Sequence, residues 1–235
     1  MSDEPRDAVS WAKKVDRLHV TDEVKAIGYN IEGRRVAGPQ QGFGRLWHRI
    51  SIAEFGPTVS PQALVADWRA HFGSYWPAGS RFHGGLTGIA PGDVAPLEAG
   101  PVTTGILVLY ADDVSFTFIT PEGHMFAAMI TFSAEETEAG TRARIDILLR
   151  TSDPIFEAGW FVIKPSEDRF WAGTLRNLAA AHGVHHPAIT QTTECVDDRR
   201  IWKHWRNVVR NSGIRTVWHT VTRALRRPRR SSPVA

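Results

Sequence analysis

The chain has 235 residues, 42% apolar and 23% charged, a globular composition of a size for one domain with additions rather than two. Its net charge of +3 is uneven: residues 1–198 carry a formal −8, and the last 37 residues hold eleven basic side chains and no Asp or Glu. The single cysteine, Cys195, excludes an internal disulfide and a cysteine zinc cluster. No run approaches the about 20 apolar residues of a membrane-spanning helix, and MSDEPRDAVS lacks the features of a secretory signal, so a cytoplasmic location is expected.

Residues 1–10 read as a disordered leader, and 11–27 as a short helix or irregular lead-in. The glycine-rich run 33–44 reads as a loop. RLWHRISI (45–52) alternates as a strand, with Leu46, His48, Ile50 and Ile52 on one face and Arg45, Trp47, Arg49 and Ser51 on the other. Ser60-Pro61 signals a capped helix carrying Leu64, Val65, Trp68 and Phe72 to about Tyr75. Residues 78–103 are rich in Gly and Pro and promise short pieces at most.

From 104 the pattern is β. TGILVLYA, VSFTFIT, MFAAMITFS and TRARIDILLR are strands separated by turns at Asp112-Asp113, PEGH (121–124) and EETEAG, which is an antiparallel meander. Ser152-Asp153-Pro154 opens a helical segment to Phe161. Ser166 then caps a helix over 167–182 with the stripe Phe170, Trp171, Leu175, Leu178 and Ala179, stopped by Gly183. Residues 185–195 read as a linker. Helices are expected at 197–211 and 214–226, followed by a disordered tail.

The stretches VLYADDVSFTFITPEGHMFAAMITFSAEE, LLRTSDPIFEAG and EDRFWAGTLRNLAAAHGV, within about Gly42 to Val184, resemble the START-like or SRPBCC superfamily. The resemblance implies an α+β helix-grip fold, in which a curved antiparallel sheet wraps a long C-terminal helix, here 167–182. It also implies a pocket for a hydrophobic or amphipathic small molecule between them. No catalytic residue carries over, and the basic extension departs from the usual plan. The organisation expected is a leader (1–10), a START-like domain (11–184), a basic helical extension (185–227) and a tail (228–235).

The candidate ligand-binding residues are Trp47, His48, Phe116, Phe118, His124, Phe126, Trp160 and Trp171: aromatic rings that form either core or cavity lining, and two histidines able to orient a ligand or move a proton. His124 follows Glu122 by two positions, and His48 and His83 would flank the pocket entrance. His182, His185 and His186 lack HExxH spacing and a cysteine partner, so no metal is expected, nor any cofactor. P-loop, dinucleotide and nucleophile-elbow motifs are absent.

Arg199, Arg200, Lys203, Arg206 and Arg210, with Trp202, Trp205 and Trp218, suit an anionic membrane surface, with nucleic acid ranked below it. Against both stands simple packing of these helices on the acidic body. The leading expectation is therefore a binding protein for a hydrophobic or amphipathic small molecule. The alternatives are a cyclase- or hydrolase-like enzyme using an inward histidine beside a carboxylate, and a scaffold acting through its basic helices.

Overall fold

A computed structural model describes residues 8–83 and 89–226. The expected tail and most of the expected leader lie outside these residues. Eight strands form one curved antiparallel sheet in the order β2-β3-β4-β5-β6-β7-β1-β8: β1 (Leu46–Gly56), β2 (Ser80–Phe82), β3 (Val94–Ala99), β4 (Val102–Ala111), β5 (Ser115–Ile119), β6 (Phe126–Thr137), β7 (Gly140–Thr151) and β8 (Ile189–Asp197). Between β1 and β2 lies α1 (Pro61–Ala70). After β7 come α2 (Pro154–Ala158) and α3 (Trp160–Ala181), and α4 (Ser212–Arg226) ends the described chain. The architecture is the expected α+β helix grip.

Local chemistry explains the boundaries. The Ser60 hydroxyl accepts from the Ala63 N–H at 3.2 Å, and the Asp153 carboxylate accepts from the N–H groups of Ile155 and Phe156, so α1 and α2 both start at a capped proline. Asp112 accepts from the Val114 and Ser115 N–H groups and closes the β4–β5 turn.

Pairing register fixes what faces inward. Trp47, Arg49 and Ser51 of β1 oppose Leu149, Ile147 and Ile145 of β7, while Ile147 opposes Ile130 and Phe132 opposes Phe116. These positions line the inner face, against which α1 and α3 close with Trp68, Trp171, Leu175 and Leu178, joined by Phe72 from the 3-10 turn after α1. Trp68 is fully buried and meets Phe116 and Phe132 edge-on at 5.9 and 5.3 Å, geometry worth about 1 kcal/mol per pair beyond area burial. The outer face is covered by the N-terminal segment, where Leu18 and Ile31 pack on Leu107.

Several sequence expectations need correction. Residues 185–195 are not a linker, because Ile189–Asp197 pairs along β1 and extends the sheet by one strand. The alternating polar side chains there read as loop because the strand is solvated on most of its length. Likewise 78–103 contains β2 and β3, hidden by Pro96 and the glycines around them. The grip helix starts at Trp160 rather than after Ser166, and runs through Pro165. The 197–211 helix is a 3-10 helix over Trp202–Arg210.

Candidate functional site

Strand β1 turns to the core the face opposite to its more apolar one. Arg49 is 3% exposed on the inner face, and His48 points outward, where its Nε2 lies 2.8 Å from Asp146. That corrects the placement of His48 by the pocket. A strand can invert the usual rule when its apolar outer positions are only half-buried, as Ile50 and Ile52 are, and the inner arginine has anionic partners.

Those partners come from the grip helix. The Arg49 guanidinium donates through Nη2 to Asp168, which also receives Lys164 Nζ at 2.7 Å. The same guanidinium sits 5.9 Å from the centre of the Trp160 ring. Burial pushes the Asp168 carboxyl up, but Lys164 and Arg49 outweigh it and hold the group below the usual carboxylate range. One residue earlier, Glu167 behaves oppositely. Burial raises its pKa, and neither Arg49 nor the hydrogen bond from Trp171 Nε1 (3.2 Å) brings it back. Gln191 of β8 bridges the helix to the strand, donating to Ser51 Oγ at 2.9 Å and to the Asp168 carbonyl at 3.0 Å.

An aromatic wall stands beside these charges. Trp47 stacks on Trp160 at 5.2 Å, and Phe126 meets Trp160 edge-on at 6.0 Å. In this wall, Arg49 Nε and Nη1 and Trp47 Nε1 are buried donors with no acceptor among the described residues. Arg45 Nε, two positions before Trp47, is likewise buried without a partner. Such groups cost about 1–3 kcal/mol each unless water or a ligand supplies an acceptor. All are donors, so what completes them is an oxygen acceptor, from water or from a ligand.

The expected site residues thus divide. Trp47, Phe126 and Trp160 come together around Arg49. Trp171 joins them through Glu167 and also touches Phe132. Phe116 and Phe118 lie deeper, within ring contact of Phe72 and Phe132. His124 is buried with its Nδ1 3.0 Å from the Phe126 amide nitrogen, and burial lowers its pKa to about 4. Its expected partner Glu122 instead receives Arg210 at 2.6 Å. Neither histidine therefore combines an inward position with a carboxylate partner.

Sequence reasoning missed Arg49, Glu167, Asp168 and Gln191. The signal available was the alternation of Arg45, Trp47 and Arg49 on one strand face.

The middle of the sheet–helix interior is filled by rings. A cavity of about 190 Å³ lies instead on the outer side, between the sheet and the 3-10 helix, walled by Glu122, Ser152, His204 and Asn207. A more open cleft of about 340 Å³ sits beside Arg69, His71, Phe72 and Phe82. Among the described residues no cluster of three or more His, Cys, Asp or Glu could hold a metal ion.

The basic segment rests on the body. Arg199 pairs with Asp197 (2.9 Å), Arg200 with Glu157 (3.0 Å) and Arg210 with Glu122 (2.6 Å). Arg206 lies over the Trp205 ring at 5.5 Å, and Lys203 has no ion-pair partner among the described residues. No described helix is long and apolar enough to cross a membrane.

No protein-family model matches the chain, and no curated protein is similar to it. Solved structures do align. Protein Ms6760 from Mycobacterium smegmatis matches at 17% identity over 60% of this chain and 92% of its own, with a TM-score of 0.42. The KanY protein in solution matches at 11% over 60% and 99%, at 0.45. Ara h 8.0201 matches at 12% over 58% and 97%, at 0.40. Likeness at these values says nothing about activity.

Proposed function

We propose that this is a START-like binding protein for an amphipathic small molecule with an acidic or oxygen-rich head. The head would lie against Arg49 and Trp47, and the apolar part along Trp160 and Phe126. The observation that carries this reading is the set of buried donors without acceptors at Arg49 and Trp47. Arg49 already satisfies Asp168 with one nitrogen and keeps two for a second anion. Trp47 is only half-buried and the neighbouring β8 positions Gln191 and Cys195 are exposed, so the approach runs between β8 and α3. Affinity would come from apolar burial, at about 25 cal/mol per Å² before ordering costs, and orientation from the donors.

Native mass spectrometry of the protein purified from its own host, with extraction of what it carries, tests this directly. A stoichiometric amphiphile bearing a carboxylate, phosphate or similar head is expected, and Arg49→Lys should lower its occupancy. A clean apo mass for both proteins, with no thermal shift across a panel of fatty acids, phosphates and phenols, would sink the proposal. That outcome would favour the scaffold reading, which the ring packing of Trp68, Phe72, Phe116 and Phe132 supports.

A further inference from the structure

An amphipathic helix on a folded body ordinarily buries its apolar stripe. Helix α4 does the reverse. Its stripe of Ile214, Val217, Trp218, Val221 and Leu225 is exposed, with Trp218 at 71% and Leu225 at 80%. Its polar side is what meets the sheet. Thr216 Oγ1 accepts from the Thr103 N–H and from Asn30 Nδ2, both at 3.2 Å, and Arg215 Nε donates to Asn30 Oδ1 at 3.1 Å. The His219 ring stacks on Tyr29 at 4.0 Å. These contacts fix which way the helix faces, so the exposed stripe is held outward by specific bonds. The preceding 3-10 helix also leaves Trp202, Trp205 and Val209 exposed.

We infer that α4 and the 3-10 helix before it form an interfacial face that lies flat on an anionic bilayer, with its tryptophans at headgroup depth. Charge selects this occupant. The chain after Asp198 holds no acidic residue; Arg199, Arg200 and Arg210 are paired with the body, while Lys203, Arg206 and Arg223 have no ion-pair partner among the described residues, so two copies docked through this face would oppose like charges, whereas an anionic surface complements them. The 15 residues of α4 span roughly 22 Å, enough to lie along a membrane. Nucleic acid phosphates would match the charge but have no use for a stripe of Ile, Val and Leu. This inference is independent of any ligand at Arg49.

The test is flotation of the full chain with vesicles of phosphatidylcholine alone and of phosphatidylcholine containing about a third phosphatidylglycerol. The expected result is flotation with the anionic vesicles only, reversed as salt rises. The double variant Trp218→Ser/Leu225→Ser should keep the wild-type melting temperature and bind at least about tenfold more weakly. Failure to float, or flotation indifferent to the double variant, would overturn the inference. A dimer that the variant makes monomeric would assign the face to a second copy instead. Salt-sensitive retention of duplex DNA without flotation would assign it to nucleic acid, and either result also overturns the proposal.

Discussion

The inner face of β1 and the outer face of α4 break the same rule in opposite directions. At β1 the fold hides an arginine inside, beside two tryptophans. At α4 it displays Ile, Val, Trp and Leu outside and buries threonine. A chain that follows inside–outside patterning through β4 to β7 abandons it at these two places, and each is held by named hydrogen bonds. Local violations that survive in an otherwise consistent fold mark places with another task. The two differ in what completes them: β1 lacks acceptors for its donors, whereas α4 lacks a cover for its hydrocarbon.

The comparison can be broken or sharpened by substitution. The regular core sets the scale. Trp68→Ala should cost about 3–5 kcal/mol by chemical denaturation, because the ring is fully buried among Phe72, Phe116 and Phe132.

Acid comes next. Folded His124 stays neutral to about pH 4, while in the unfolded chain it takes up a proton near 6.5. Its contribution is therefore complete above pH 6.5 and drains away as pH falls toward 4, to a limit of roughly 3 kcal/mol. His124→Asn should flatten that slope, and a pH series of melting curves with an unchanged slope would refute the assignment.

Gly123→Ala follows, at about 2 kcal/mol. Gly123 has φ +89°, and a Cβ there would overlap the Arg210 carbonyl, so the substitution should also loosen the C-terminal segment toward protease.

The two inverted faces should be the cheapest to alter. Trp47→Phe removes an indole N–H that has no partner among the described residues, so stability should change by less than about 1 kcal/mol while ligand affinity should fall. Trp218→Ser should change stability by less than about 0.5 kcal/mol, since the ring already faces solvent.

Much of the fold was legible because its strands alternate and its turns carry Asp, Gly and Pro at telling positions. Asp112 and Gly123 act as their residue types suggested. Strand β8 was not legible: ITQTTECVD owes its extended form to the free edge of β1, and polar composition gives no hint of a tertiary pairing. Of the proposed site, the aromatic residues Trp47, Phe126, Trp160 and Trp171 stood out in the sequence, and the structure brings their rings near Arg49. The charged part did not stand out. Arg49 is inward only because Asp168 and Glu167 arrive from a helix more than a hundred residues later, and no local pattern encodes that meeting.

The most direct measurement of the central claim is a titration of wild-type protein and Trp47→Phe with a medium-chain fatty acid by isothermal calorimetry, alongside their melting curves. The account predicts saturable binding by the wild type and clearly weaker binding by a variant of nearly equal stability. Equal heats for both proteins, or none for either, would contradict it and leave the buried donors of β1 as a structural feature without a ligand.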